Sequence, residues 1–201
     1  WPHPAMTPQA AGLALLVLAG GTAFYISSGE KRLQSFFKGA AGEEQVARML
    51  TFLPAEFRVS HGVGAVEAGW TGAADYDHVV IGPAGIFVIE TKNWRGRIEI
   101  ADGRILCGGR APDRDPIEQV KRAAAGLQRV LTERTGLDLP VRPLLCFVAG
   151  SLPADRCGAA GVEVCTSEIL PKVLSEPGER HLSPGEVQRA AEAVSGLLEK
   201  A

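Results

Sequence analysis

Two acidic residues and a lysine stand at one end of a predicted β-hairpin. Two apolar runs rich in β-branched residues, 79–81 and 86–89, flank a Gly-Pro-Ala-Gly turn. If these four turn residues form the loop, Asp77 falls opposite Glu90, and strand alternation puts Lys92 on the same face as Glu90. Two carboxylates about 5 Å apart repel each other unless a cation lies between them. The spacing therefore predicts a site for a divalent metal ion.

A simpler interpretation is a surface ion pair between Glu90 and Lys92 at the frayed end of the hairpin. Both faces of the two strands are apolar apart from the charged cluster, which indicates a central strand pair covered on both sides. Uncompensated carboxylates are costly in such a place. The metal site is therefore the favoured interpretation.

Two predicted helices carry further polar side chains on or beside their apolar stripes. The first has Val46 and Leu50 at helical spacing, and Glu43 falls on the same buried stripe. The second starts at Asp115, a helix cap followed by proline, and its Gln119 lies one residue off the apolar stripe. Taken alone, Glu43 could simply complement the helix dipole, and Gln119 could be a solvated helix residue.

Length and composition fit one α/β domain with a small addition. The 201 residues are 46% hydrophobic and 22% charged, and the net charge of −2 gives no general attraction to nucleic acid. Between residues 92 and 134 basic residues outnumber acidic ones, which fits either a nucleic-acid path or an ordinary solvated surface. The four cysteines lack C-x-x-C spacing, so a zinc site is not expected, and a reducing compartment fits best.

The N-terminal residues 1–30 form a predicted hydrophobic segment ahead of a globular domain at residues 31–201. Residues 10–26 are almost entirely apolar and near the lower length limit of a membrane-spanning helix. Basic residues follow this segment and none precedes it, which predicts a membrane anchor with the domain in the cytoplasm. The alternative is a helix that packs on its own domain or on a partner, in a soluble cytoplasmic protein.

These motifs together resemble the nuclease-related domain family, NERD, which is similar to the restriction-endonuclease-like PD-(D/E)xK superfamily. The matching segments are Gly42-Glu43, Asp77-His78-Val79-Val80, Glu90-Thr91-Lys92-Asn93-Trp94-Arg95-Gly96 and Asp115-Pro116-Ile117-Glu118-Gln119. The resemblance implies an α/β fold with a restriction-endonuclease-like three-layer core. In that core a mixed central β-sheet is flanked by helices, here preceded by the N-terminal hydrophobic helix.

The resemblance also implies a role for each candidate residue and a cofactor. It makes Asp77 and Glu90 the metal carboxylates, the Thr91 carbonyl a further ligand, and Lys92 the superfamily's lysine. Catalytic positions are likewise implied for the helical glutamate and for the glutamine after Asp-Pro, which are Glu43 and Gln119. Oxygen ligands with open positions favour Mg²⁺ or Mn²⁺.

The implied function is metal-dependent phosphodiester hydrolysis of nucleic acid, with DNA favoured over RNA. An alternative is a non-catalytic module that keeps the nuclease fold and binds nucleic acid or protein. Intact Asp77, Glu90 and Lys92 favour the enzyme, because a module without catalysis has no physical need for repelling carboxylates. A third hypothesis is a metal-dependent hydrolase of another phosphodiester. The sequence predicts no oligomeric state.

Overall fold

The computed structural model describes residues 30, 34, 36–63, 76–178 and 180–198. The chain divides into two compact units, Trp1–Ala40 and Ala41–Ala201. The predicted anchor at residues 10–26 lies outside the described residues, and the domain boundary after residue 30 stays a prediction. Within the described ranges, no helix combines the length and the apolar character that a membrane crossing requires.

The larger unit is a mixed α/β structure, as expected from the sequence. Its described residues form, in chain order, α1 (residues 41–50 within this unit), β1 (Arg58–Val63), β2 (Tyr76–Gly82), β3 (Gly85–Lys92), β4 (Gly96–Ala101), β5 (Arg104–Cys107), α2 (Pro116–Thr135), β6 (Val141–Phe147), β7 (Gly150–Ser151), β8 (Arg156–Ala159), β9 (Val162–Thr166), a 3₁₀ turn (Ser167–Ile169), α3 (Leu170–Ser175) and α4 (Pro184–Leu198).

Six of these strands form the main sheet, in the order β1-β2-β3-β6-β9-β8. Strands β3, β6 and β9 run parallel to one another, whereas β1–β2, β2–β3 and β8–β9 pair antiparallel, so the sheet is mixed as predicted. A smaller sheet, β5-β4-β7, branches off after β3. The connection from β3 to the parallel strand β6 passes through this small sheet and α2.

The central hairpin has the predicted register. Ladder pairs run from Gly82 opposite Gly85 up to His78 opposite Ile89. Gly85 has a φ of 134°, a backbone conformation that suits glycine, at the end of the Pro-Ala turn. The ladder stops one residue short of Asp77 and Glu90, which therefore lie at the open end of the hairpin.

Helices cover both faces of the main sheet. Buried side chains of α2 and α4 pack on one face, and those of α1 and α3 pack on the other. Asp115 caps α2 as predicted, because its carboxylate accepts a hydrogen bond from Ile117 N at 2.9 Å. The predicted apolar stripe of α2 is buried throughout. The result is a three-layer arrangement with β3 near the centre of the sheet. The end of β3 at Lys92 lies beside the first turns of α2.

Two strand predictions differ from the structure. Residues 57–60 and 63–66 are predicted as separate strands, whereas one strand, β1, covers Arg58–Val63, and residues 64–66 lie outside the described ones. Strands β7 and β8 are not predicted from the sequence. Both are short and carry no run of buried apolar residues, so periodicity gives no signal for them.

Candidate active site

Lys92 joins the end of β3 to the first turns of α2. Its Nζ lies 2.5 Å from Glu90 Oε1 and donates a hydrogen bond to Gln119 Oε1 at 3.3 Å. Gln119 also hydrogen-bonds to Glu90, so the three side chains form one connected group. Glu90 is only 5% exposed. The ion pair between Glu90 and Lys92 that the simpler interpretation expected is therefore present, but it is largely removed from solvent and does not lie at a frayed surface end.

Asp77 lies across the hairpin from this group. Its Oδ2 accepts a hydrogen bond from the Thr91 backbone N–H at 2.7 Å. Burial, and then the negative charges of Glu90 and Glu43, raise the pKa of Asp77 to about 7, although the Thr91 N–H and Lys92 act in the opposite direction. The raised pKa means that the folded protein disfavours a second negative charge beside Glu90.

The pKa of Glu90 is also raised. Burial is the main cause, and the Glu43 charge adds to it. Lys92 and Gln119 stabilise the carboxylate and pull the pKa of Glu90 down. The negative charge of Glu43 thus disfavours ionisation of both Asp77 and Glu90, whereas the positive charge of Lys92 favours it.

Glu43 was expected on the buried stripe of α1, and this expectation is wrong, because its side chain is exposed. The residue that turns inward is Gly42, which is buried. A Cβ atom at Gly42 would lie 2.8 Å from Asn93 Cβ, so the helix passes directly against the end of β3. Although Glu43 is exposed, its negative charge still acts on both Asp77 and Glu90.

Replacing Gly42 with alanine is expected to destabilise the larger unit by about 1–3 kcal/mol, because the new methyl group must displace Asn93 or the helix. Chemical denaturation measures the change. Gly185→Ala, in α4 of the same unit, is the matched control, since a Cβ there meets nothing within 4 Å and alanine improves helix propensity by up to ~1 kcal/mol. Equal stability of Gly42→Ala and the parent protein would contradict the close packing.

One histidine pair near the site was not foreseen. His61 of β1 and His78 of β2 are cross-strand partners, and their Nδ1 atoms lie 2.8 Å apart. His78 is 1% exposed, and burial together with the His61 charge lowers its pKa to about 4. Predicting this pair from sequence would require the register between β1 and β2. Residues 64–75 separate the two strands, and a connection of that length, unlike a short turn, does not fix which residues face each other. His78 is therefore neutral near pH 7.

The donor set fits a hard divalent cation of the magnesium type. Among the described residues, no three His, Cys, Asp or Glu side chains form a group that could hold a metal ion unaided. Mg²⁺ does not require such a group, since it is commonly held by one or two carboxylates, waters and substrate phosphates. Asp77 and Glu90 provide two carboxylates, and the raised pKa of each indicates a place where added positive charge is favourable.

The free energy of unfolding of Asp77→Asn is expected to rise relative to that of the parent protein as pH rises from about 4 to 7, by about 2–4 kcal/mol. In the parent, folded Asp77 keeps its proton up to a pKa of about 7, while the unfolded chain loses it near pH 4. Folding thus weakens with pH across that window. Denaturant titrations in EDTA at several pH values measure the difference, which levels off above about pH 7.5.

The comparison with the Asp77→Asn variant is needed because His78 acts in the opposite direction. Its lowered pKa of about 4 makes folding stronger as pH rises to about 6.5, in both proteins alike. Added Mg²⁺ should narrow the gap at pH 8, because it stabilises only the charged site. A pH-independent difference between the two proteins would show that Asp77 ionises normally.

Comparison with known proteins finds a family model, described as the nuclease-related domain, that matches residues 38–148. This range contains every candidate residue described above. An uncharacterized protein of Bacillus anthracis is 44% identical over 63 residues, which is 31% of this chain and 29% of that protein. The match therefore spans less than a third of the relative's length. No solved structure matches the chain.

Proposed function

The chain belongs to the nuclease-related domain family, and on that premise we propose that it hydrolyses phosphodiester bonds in nucleic acid, DNA in preference to RNA, with a divalent metal ion. The observation that carries this proposal is the connected group of buried Glu90 and half-buried Lys92 and Gln119 beside Asp77. A carboxylate pair with raised pKa values and one adjacent ammonium group matches what phosphodiester hydrolysis needs. Such perturbed groups are typical of active sites.

Asp77 and Glu90 are the residues that would hold Mg²⁺ or Mn²⁺, with the Thr91 carbonyl as a further ligand. When bound, such an ion makes a coordinated water more acidic and offsets negative charge on the phosphate. The Thr91 N–H fixes the Asp77 carboxylate at 2.7 Å, which orients that ligand before any ion arrives. The protein thus supplies the charge and the orientation.

Lys92 is the group placed to act on the reacting atoms. Its ammonium group can orient the attacking water or offset the charge that develops on the phosphate, whereas only its neutral amine form could accept a proton from that water. Contacts to Glu90 and Gln119 hold Nζ in one position, so Gln119 acts as a positioning residue. Glu43, exposed above the two acids, would act in the outer shell of the ion or on Lys92.

The three-layer arrangement supports a restriction-endonuclease-like core as the finer assignment of the fold. The antiparallel pair β2–β3 carries the acids and β3 pairs in parallel with β6, so the site lies at one end of a mixed sheet between two helices. Helix α1 brings Glu43 and helix α2 brings Gln119, one from each face of the sheet. Both helices are thus needed to complete the site.

The proposal includes a membrane tether through residues 10–26, with the nuclease domain in the cytoplasm. Its support is the apolar run and the basic residues that follow it. Fractionation of cells that express the full chain tests it. Recovery in the membrane fraction, released only by detergent, is expected, whereas full-length protein that stays soluble without detergent would contradict the tether.

The activity is tested by incubating the chain with plasmid, linear and single-stranded DNA and with RNA, with Mg²⁺, Mn²⁺ or EDTA. Cleavage of DNA that requires the ion is the expected result. Faster cleavage of RNA than of DNA would overturn the substrate preference. Absence of cleavage on all four substrates with either ion would overturn the proposed function.

A second candidate function is a non-catalytic module that binds nucleic acid or protein. The observation in its favour is the 2.5 Å ion pair, because Lys92 already neutralises Glu90 without a metal ion. Salt-sensitive DNA binding by the parent protein without cleavage would support this module.

A further inference from the structure

Three arginines lie together at the base of the β4–β5 hairpin, next to the candidate site. This arginine cluster consists of Arg95, Arg97 and Arg110, all exposed. Hydrogen bonds join their backbones: the Cys107 thiol donates to Arg95 O at 3.5 Å, and Gly108 N donates to Arg97 O at 2.8 Å. Cys107 N also donates to Arg110 O at 2.9 Å. Residues distant in sequence are thereby held at one place.

The cluster has uncompensated positive charge. Arg97 lies 3.6 Å from Glu99 on the same strand. Among the residues that the structure describes, no acidic side chain pairs with Arg95 or Arg110. Two exposed guanidinium groups are therefore available for an anion. Guanidinium is well suited to phosphate, because its planar N–H groups can bind two oxygens at once.

The cluster is close enough to the site to share one nucleic-acid strand with it. Arg95 follows Lys92 by three residues, so their Cα atoms are at most about 11 Å apart. Arg110 is tied to Arg95 through Cys107, as described above. Phosphates follow each other with about 3.4 Å of rise along each strand of a duplex. A separation of at most about 11 Å corresponds to about three nucleotides of rise, so a strand with one phosphate at Lys92 would have others within reach of Arg95 and of Arg110 beside it.

The backbone beneath the cluster is held firmly. The Trp94 ring packs edge-on against Phe147, with 5.6 Å between centroids. Gly96 pairs with Gly150 of β7, where a Cβ atom would lie 2.6 Å from Ile98 Cγ1. This tight contact leaves room for no side chain at Gly150 and fixes the start of β4. Because the backbone that carries the arginine side chains is already fixed, less conformational entropy is lost when they bind a ligand.

We propose that Arg95 and Arg110 bind the phosphates of the nucleic-acid strand that flank the bond cleaved at the candidate site. The proposal rests on the proposed function for the identity of the ligand. These arginines position the substrate and take no part in bond cleavage. They are expected to read the backbone and not the base sequence, because phosphate contacts carry no sequence information.

The test compares Arg95→Ala, Arg110→Ala and the double variant with Arg104→Ala. Arg104 is the matched control, because it is an exposed arginine of the same hairpin. It begins β5 at the hairpin tip, at the opposite end from the arginine cluster. Binding of the full chain to a DNA duplex is measured in EDTA at several salt concentrations. Cleavage rates with Mg²⁺ are measured in parallel to obtain kcat and KM.

Each single variant is expected to weaken binding about 3- to 10-fold and to lower the slope of log K against log salt by about 0.9. KM should rise while kcat stays within about twofold, because the contact is present in ground state and transition state alike. Binding and KM that match Arg104→Ala would overturn the proposal, even if the parent cleaves DNA. If the parent binds without cleaving and the variants still lose affinity, the proposed function fails and the arginine site stands.

Discussion

Replacing Glu90 with glutamine lowers the rate of DNA cleavage by about 1,000-fold under the proposed function. The change removes one of the two carboxylates that hold the ion, and losses of this order follow when a main electrostatic element of a site is deleted. Glutamine has the same shape, and its carbonyl can still accept a hydrogen bond from Lys92. The fold is therefore retained, and kcat/KM at several Mg²⁺ concentrations reports the loss.

Glu133→Gln is the matched control for this change. Glu133 lies near the end of α2 and forms a long surface pair with Arg129 at 3.8 Å, far from the hairpin end. Exposed pairs of this kind contribute little, so its cleavage rate should stay within about twofold of the parent. Cleavage by Glu90→Gln at the parent rate would mean that the reaction occurs elsewhere or comes from a contaminant.

Lys92→Met is expected to lower cleavage by about 100- to 10,000-fold and to move the pH profile of the remaining activity upward. Methionine keeps most of the length of the side chain but removes the charge that lowers the pKa of both Asp77 and Glu90. Both acids then stay protonated to higher pH, and the ion binds less well near neutrality. Cleavage rates between pH 6 and 9 with saturating Mg²⁺ measure the shift.

Lys121→Met separates this effect from a general loss of positive charge. Lys121 is an exposed residue of α2, 3.7 Å from Glu118. Its replacement should leave both the rate and the pH profile unchanged. A fall in rate for Lys92→Met without any displacement of the profile would refute the coupling between the lysine and the two acids, although the lysine could still act on the water.

The features of the fold that sequence alone predicted are those set by local chemistry. The hairpin register followed from a Gly-Pro-Ala-Gly turn between β-branched runs, because turn length fixes which residues face each other. The start of α2 followed from Asp115 and the proline after it, since the cap satisfies a free backbone N–H. Both signals lie within a few residues of the structure they specify.

The features that could not be predicted depend on contacts between distant segments. The buried face of α1 includes Gly42 and not Glu43, and Gly42 lies against Asn93, a residue far away in the sequence. Gln119 was linked to the site only through the family motif, because nothing in its helix tells which strand end it meets. The arginine cluster likewise needs the hydrogen bond from Cys107 to Arg95 to bring its members together.

Binding of Mn²⁺ to the purified chain, followed by electron paramagnetic resonance, tests the central claim most directly, since it requires no cleavage and no nucleic acid. We expect the parent protein to bind Mn²⁺ near pH 7. Binding should be lost in the double variant that combines Asp77→Asn with Glu90→Gln, and it should be weaker in Lys92→Met. Undiminished Mn²⁺ binding by the double variant, or none by the parent protein, would contradict the assignment of Asp77 and Glu90 as the residues that hold the ion.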